Sequence, residues 1–200
     1  MSALHVRGLR SAQAGPFDLD AHAGDCVAIT GPSGAGKSLF LRMLADLDPN
    51  EGEVSLDGTD RAAVPATVWR RRVIYSAAEP AWWAEDVAAH LPPGSAAEAA
   101  ALAARLGLTE AHLAGPVSRL STGERQRLAL IRALLRHPGV LLADEPTAAL
   151  DEASIGPVEA LLRERMAGGL LLILVTHRPE QAARLGTIRR RIADRRFADP

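Results

Sequence analysis

Hydrophobic positions along this chain follow two periods in turn, and their succession predicts the architecture. Leu4-His-Val6 and Phe17-Asp-Leu19 set apolar residues two apart, the spacing of half-buried strands. Val27-Ala-Ile-Thr30 is a further short β-rich run. Leu39, Phe40, Met43, Leu44 and Leu47 then fall three and four apart, which predicts an amphipathic helix over Ser38–Leu47. Gly52–Gly58 reads as a strand closed by an Asp-Gly turn, and Val73-Ile-Tyr75 as a further buried strand. From about Ala84 to Leu113 the texture becomes alanine-rich, with a helix predicted over Ser95–Gly107 after the Pro92-Pro93-Gly94 break. Thr122–Arg136 carries Leu128, Ile131, Leu134 and Leu135 on one helical side and arginines opposite. Val140–Ala143 and Leu170–Val175 are unbroken apolar runs with a helical stretch, Glu152–Met166, between them. Unbroken runs mark parallel strands buried on both faces. Ile188–Phe197 supplies the closing strands.

Strands alternating with helices predict an α/β fold with a mostly parallel sheet flanked by helices. A small antiparallel β part and a short helical lobe complete it. The expected organisation is one domain over residues 1–200, with a core of 1–77 and 121–200 and a helical lobe at about 78–120. No internal repeat is present.

Composition narrows the class. With 48% hydrophobic and 24% charged residues the chain has the balance of a soluble globular protein. A formal net charge of −1 gives no basic field, so nucleic acid is not expected as a partner. Arginines gather near the end (Arg184, Arg189, Arg190, Arg191, Arg195, Arg196) and read as a solvated face. Cys26 is alone, which excludes a disulfide framework and predicts a buried, inert thiol. Met1–Arg10 lacks an apolar leader core, and Leu170–Val175 is far short of a span. A cytoplasmic protein is expected.

One residue then changes the picture. The only lysine of the chain is Lys37, and every other cationic side chain is arginine. It lies in Gly31, Pro32, Ser33, Gly34, Ala35, Gly36, Lys37, Ser38, the pattern G-x-x-x-x-G-K-[ST] between a predicted strand and a predicted helix. Glycines let backbone N–H groups turn inward around a β-phosphate, the ammonium reaches β/γ-oxygens as a compact charge, and the serine hydroxyl ligates Mg²⁺. Arginine's planar fork is too bulky for that cradle. Val140-Leu-Leu-Ala-Asp144-Glu145 places two carboxylates at the carboxyl end of a buried strand, where doubly wound sheets put ligands. Asp144 suits Mg²⁺ positioning, and Glu145 suits polarising a water for in-line attack on a γ-phosphate. Leu120-Ser121-Thr122-Gly123-Glu124 opens a helix with a hydroxyl, free N–H groups and a positive dipole end. Ser121-x-x-Glu124 is equally a capping box, and the two readings describe one structure.

With these motifs in this order, nearly the whole chain resembles the ATP-binding cassette (ABC) ATPases, whose signature is usually written Leu-Ser-Gly-Gly-Gln. The resemblance implies a P-loop NTPase fold, ATP and Mg²⁺ as cofactors, and Glu145 as catalytic base. Ala149-Leu150-Asp151 resembles the family's dimer-interface loop, and Val175-Thr176-His177 its γ-phosphate-sensing histidine. It also implies a homo- or heterodimer with a second ABC subunit, in which Ser121 and Gly123 close over the partner's nucleotide. The expected role is an ATP-hydrolysing subunit that drives a separate transmembrane permease from the inner face of the membrane.

Several positions depart from the family pattern. Tyr75-Ser-Ala-Ala78-Glu79-Pro80 has Ala78 where a glutamine is usual, with Glu79 the nearest substitute. No aromatic residue near Arg10–Gln13 is available to stack on adenine, and Phe17 reads as core. Thr122 and Glu124 replace a glycine and a glutamine of the signature. The lobe is short, and Trp82-Trp83 offers either a docking anchor or core. Alternative readings are a non-transport ABC ATPase and, because of Ala78, a slow or binding-only subunit. The chain is expected to be a stand-alone subunit without a regulatory carboxyl-terminal domain.

Overall fold

The computed structural model describes residues 3–198. Its first half runs β1 (Ala3–Arg10), β2 (Phe17–His22), β3 (Cys26–Thr30), α1 (Lys37–Leu44), β4 (Glu51–Leu56), β5 (Thr59–Asp60), α2 (Ala66–Arg72) and β6 (Val73–Ser76). Then follow α3 (Ala96–Arg105), α4 (Glu110–Ala114), α5 (Thr122–Leu134), β7 (Val140–Asp144), α6 (Glu152–Ala167), β8 (Leu171–Val175), α7 (Pro179–Leu185), β9 (Ile188–Ala193) and β10 (Arg196–Ala198). One sheet is antiparallel in the order β2-β1-β4-β5. The other, in the order β10-β9-β3-β8-β7-β6, is parallel from β9 to β6, with β10 antiparallel at one edge.

The unbroken apolar runs are explained by the two cores. Along β8, Leu171, Ile173 and Val175 face one core while Leu172 and Leu174 face the other. Along β7, Val140 and Leu142 separate from Leu141 and Ala143 in the same way. A strand with helices on one face and a second sheet on the other has no polar side. The first core joins the antiparallel sheet to α1 through Leu4, Val6, Phe17, Phe40 and Met43. The second joins the parallel sheet to α3, α5 and α6 through Leu102, Leu128, Ile131, Val158 and Leu161. Cys26 is fully buried in the second core, where burial and the charge of Asp25 push its thiol up to about 12, beyond nucleophilic use.

An aromatic triad fastens the first core to the carboxyl-terminal hairpin. The rings of Phe17 (β2), Phe40 (α1) and Phe197 (β10) lie 4.8, 5.0 and 5.2 Å apart between centroids. Each such pair adds about 0.5–1.5 kcal/mol beyond area burial. Phe17 is thus core, as its sequence position suggested.

Two expectations need correction. The first helix stops at Leu44, short of Leu47, because a Schellman motif ends it. Asp46 takes φ 56°, Asp46 N donates to Met43 O at 3.0 Å and Leu47 N to Arg42 O at 2.9 Å. Leu47 therefore leaves the apolar stripe and is 40% exposed. Val73-Ile-Tyr75 forms the outer strand of its sheet, so only Val73 is fully buried.

Charge is buried at one place on α6. Glu159 is 3% exposed and accepts two hydrogen bonds from Arg184 (2.9 and 2.7 Å) and one from Arg163 (3.2 Å). Burial pushes this carboxyl up, but Arg184 and the neighbouring donors outweigh it and hold it below the usual glutamate range. A depressed folded-state pKa stabilises above the ordinary value of about 4.5 and is lost as pH falls through the folded value. Glu159→Gln is expected to lower stability by about 1–3 kcal/mol at pH 7. It should also flatten the loss of melting temperature below pH 4.5 seen in thermal scans.

Candidate functional site

The phosphate-loop segment begins where β3 leaves the sheet. Gly31 (φ 150°) passes so close to the β9 backbone that a Cβ would lie 2.1 Å from Ile192 O, so no other residue fits. Gly34 and Gly36 follow at φ 75° and 97°. Gly36 is the N-cap of α1 and carries no side chain to satisfy the helix's first N–H groups, which stay available to an anion. Lys37 Nζ donates to Gly31 O and Pro32 O, both at 2.8 Å. The loop's own carbonyls thus take two of the three ammonium protons and hold the charge across the cradle.

A cavity of about 400 Å³ opens over this loop. Ser33, Gly34, Gly36, Lys37 and Ser38 line it together with Ala78, Asp144, Glu145, Gln13 and Arg195. Asp144, 3% exposed at the end of β7, accepts from Tyr75 Oη at 2.9 Å. Burial and the Asp144 carboxylate raise the phenol well above its ordinary range, so it stays a donor. Among the described residues no group of three or more His, Cys, Asp or Glu converges to hold a metal. The cavity wall instead brings the Ser38 hydroxyl, in the first turn of α1, to the same space as the Asp144 carboxylate at the end of β7. That donor set fits Mg²⁺, which keeps waters and phosphate oxygens and takes few protein ligands.

Glu145 is held by its backbone. It sits at φ 50°, a left-handed conformation rare for a non-glycine residue and concentrated at functional sites. Its N–H donates to Val175 O at 3.0 Å, and its carbonyl accepts from Gln126 Nε2 at 2.7 Å. Gln126 Oε1 in turn accepts from Ala149 N at 3.0 Å. Gln126, 5% exposed on α5, therefore joins that helix to Glu145 and to the loop before Asp151. At the side chain, Glu145 Oε2 accepts from His177 N (3.2 Å) and meets His177 Nδ1 at 2.7 Å. His177 thus touches Glu145 directly, with its ring largely exposed.

The remaining motif residues stand apart from the cavity. Ser121 is the N-cap of α5, its Oγ accepting from Glu124 N (3.3 Å) while Glu124 Oε2 accepts from Ser121 N (2.8 Å). That backbone bond leads the effects that hold the Glu124 carboxyl below its ordinary range. At Gly123 a Cβ would lie 3.0 Å from Ala149 O, whereas Thr122 is exposed. The glycine that local packing requires is therefore present, and the Thr122 departure falls where a side chain has room. Asp151 caps α6, accepting from Ser154 N at 2.8 Å. Neither Ser121, Gly123 nor Asp151 lines the cavity. Glu79 is exposed and does not line it either.

Sequence reasoning missed Tyr75, Gln126, Gln13 and Arg195. Gln126 had a legible signal, since it shares the apolar stripe of α5 with Ala129, Leu130 and Ala133 at helical spacing. Nothing local marked the other three as neighbours of the loop.

A second, larger groove of about 800 Å³ runs between α2, β6 and α5. Trp83, 68% exposed, and Leu47 line it with Arg132 and Arg136. The Arg132 guanidinium lies 4.7 Å from the Trp82 ring centroid and 5.0 Å from that of Trp83. His90, buried beneath, accepts from Trp83 N and Ala84 N through Nε2, so its Nδ1 carries the proton toward Asp86 O. Trp82 is half-buried and Trp83 outward, so the pair divides between core and surface.

Known proteins resemble this chain in sequence and in fold. The family model described as "ABC transporter" matches residues 15–148. Protein STAR1 of rice is 37% identical over 202 residues, covering 92% of this chain and 58% of that one. The aliphatic sulfonates import ATP-binding protein SsuB of Cupriavidus pinatubonensis is 39% identical over 177 residues, covering 84% and 57%. The chain thus spans a little over half the length of these relatives. Among solved structures, the dimeric post-hydrolysis state of the ATP-binding cassette MJ0796 bound to ADP and Pi superposes with a TM-score of 0.84. It has 26% identity and covers 100% of this chain and 97% of that one. An Atm1-family ABC exporter with ATP bound gives 0.83 at 25% identity, over 99% of this chain and 38% of that one. The fold is that of the ABC ATPases, and the chain belongs to the ABC transporter family.

Proposed function

We propose that this chain binds ATP with Mg²⁺, hydrolyses it within a dimer of two such subunits, and so drives a separate membrane permease. The observation that carries the reading is the convergence, in one cavity, of the Lys37 loop with Asp144 and Glu145 from the neighbouring strand end. In this reading Gly31–Ser38 bind the β- and γ-phosphates through backbone N–H groups and Lys37. Ser38 and Asp144 would hold a magnesium ion, which would supply neutralisation of the phosphate charge. Glu145 Oε2 is occupied by His177, which leaves Oε1 to accept a proton from the attacking water. His177 presents its other ring nitrogen to the γ-phosphate. Catalysis rests mainly on positioning and charge neutralisation.

Dimerisation follows from what the cavity lacks. Ser121 and Gly123 form an anion-binding helix start, yet lie outside this chain's own cavity, and a two-fold partner brings them to it. Asp151 belongs to the same face. No helix among the described residues is long and apolar enough to cross a membrane. The groove around Trp83 is the docking surface proposed for the permease, with the subunit at the inner face of the membrane. An exposed tryptophan stacked on a half-buried arginine has the composition of an interface hot spot. Residues 1–200 act here as one ABC ATPase domain, with about 78–120 as its helical lobe.

A second reading is favoured by one observation. Ala78 lines the cavity, and its methyl group offers neither the N–H nor the carbonyl that the family's usual glutamine carries. The subunit would then be a slow switch whose main event is ATP-dependent dimerisation.

Glu145→Gln is expected to retain nucleotide binding, lower turnover about 100-fold or more, and accumulate an ATP-bound dimer by light scattering. Unchanged turnover would remove Glu145 as the base. Gln126→Leu leaves the Glu145 carbonyl and the Ala149 N–H without their partner and should cost about 1–3 kcal/mol in denaturant titration. Steady-state kinetics should show its kcat falling more than its affinity for ATP. Trp83→Ala should weaken the permease complex about 30-fold in co-purification while basal hydrolysis stays unchanged.

A further inference from the structure

The ATP reading leaves the base end of the nucleotide unassigned, and the sheet topology says where that end lies. The phosphate loop leaves the sheet after β3. In strand order β8 and β7 lie on one side of β3, and β9 and β10 on the other. Asp144 and Glu145 therefore flank the loop from the β7 side, where the γ-phosphate meets its attacking water. The rest of the nucleotide has to run toward the opposite flank. Among the described residues, Gln13 and Arg195 line the cavity from that flank, and no aromatic ring lines it.

Arg195 is placed there by several independent constraints. It is the second residue of the two-residue turn between β9 and β10, and both turn residues are left-handed, Asp194 at φ 47° and Arg195 at φ 62°. Such a turn ordinarily takes Asn or Gly, so a long cation at this point is held against its backbone preference. Its carbonyl accepts from Gly15 N at 2.8 Å, and its Nη1 donates to Gln13 O at 3.2 Å. A Cβ on Gly36 would lie 3.7 Å from Arg195 Cα and Cγ, so the side chain starts beside the N-terminus of α1. Two residues on, Phe197 fixes the hairpin between Phe17 and Phe40.

A guanidinium is planar, delocalised and weakly hydrated, and it stacks on the π-face of a base as an aromatic ring does. We propose that Arg195 is a nucleotide-binding residue whose guanidinium stacks on the base of the bound nucleotide, at the end of the cavity remote from Glu145. The proposal rests on the ATP reading above. Stacking reads the π-face of the base, so adenine and guanine are gripped alike.

The test titrates ATP, GTP and inorganic tripolyphosphate, each with Mg²⁺, into the whole chain by calorimetry. It compares the native protein with Arg195→Gly and Arg195→Lys. The glycine variant suits the left-handed turn, and a thermal melt confirms that it folds. Arg195→Gly is expected to lose about tenfold or more in affinity for both nucleotides, with tripolyphosphate unchanged and no recovery in Arg195→Lys. The proposal is overturned if Arg195→Gly binds ATP as the native chain does. It is equally overturned if tripolyphosphate binding falls in step and lysine restores it, the mark of a phosphate contact. A native chain that binds tripolyphosphate but neither nucleotide, or none of the three, overturns the ATP reading itself and this one with it.

Discussion

Burial of β3, β8 and β7 on both faces is the constraint from which the rest of the structure follows. Those strands read Cys-Val-Ala-Ile-Thr, Leu-Leu-Ile-Leu-Val and Val-Leu-Leu-Ala-Asp, with no charged or hydroxyl side chain before the last position of any of them. A polar group placed earlier would be stranded between two apolar layers without water or partner. Every polar function therefore emerges at one end of the sheet, as Thr30 and the glycine loop, as Asp144-Glu145, and as Thr176-His177. The candidate site is the rim of three strands whose interior positions carry no charge, in keeping with the general placement of ligands at the carboxyl ends of parallel strands.

At that rim, accuracy comes from the backbone more than from the side chains. Gly31 threads past the Ile192 carbonyl, and Glu145 is turned into a left-handed conformation by bonds to Val175 O and Gln126. Gln126 has a wider reach, because the same amide also holds the Ala149 N–H. A movement of α5 is thereby mechanically tied to the carboxylate and to the loop leading to Asp151. On the proposed dimeric reading, the helix that meets the partner's phosphate is the one that grips Glu145 from behind.

Much of this was legible in the sequence, for a physical reason in each case. The central strands showed as unbroken apolar runs because they are buried twice over, and α5 showed by helical spacing. The phosphate loop was legible because its chemistry constrains consecutive residues. The end of α1 was misjudged because the apolar spacing runs on to Leu47 while the stop is a left-handed backbone conformation at Asp46. Val73-Ile-Tyr75 looked more buried than it is because an apolar triplet does not reveal whether its strand has one neighbour or two. Tyr75, Gln13 and Arg195 were invisible as site residues because strand pairing and hairpin closure, not local pattern, bring positions 13, 75 and 195 toward a loop at 31–38.

The composition of this chain has a practical consequence at the loop. Lys37 is its sole side-chain amine, and it is half-buried across the cradle, donating to two loop carbonyls. In most proteins an acylating or aldehyde reagent scatters over a lysine-rich surface and reports on nothing in particular. Here the only lysine adduct that can form is at the phosphate cradle, so covalent labelling of side-chain amines becomes a direct gauge of that single position. The same arithmetic leaves the surface, built on arginine, silent to the reagent.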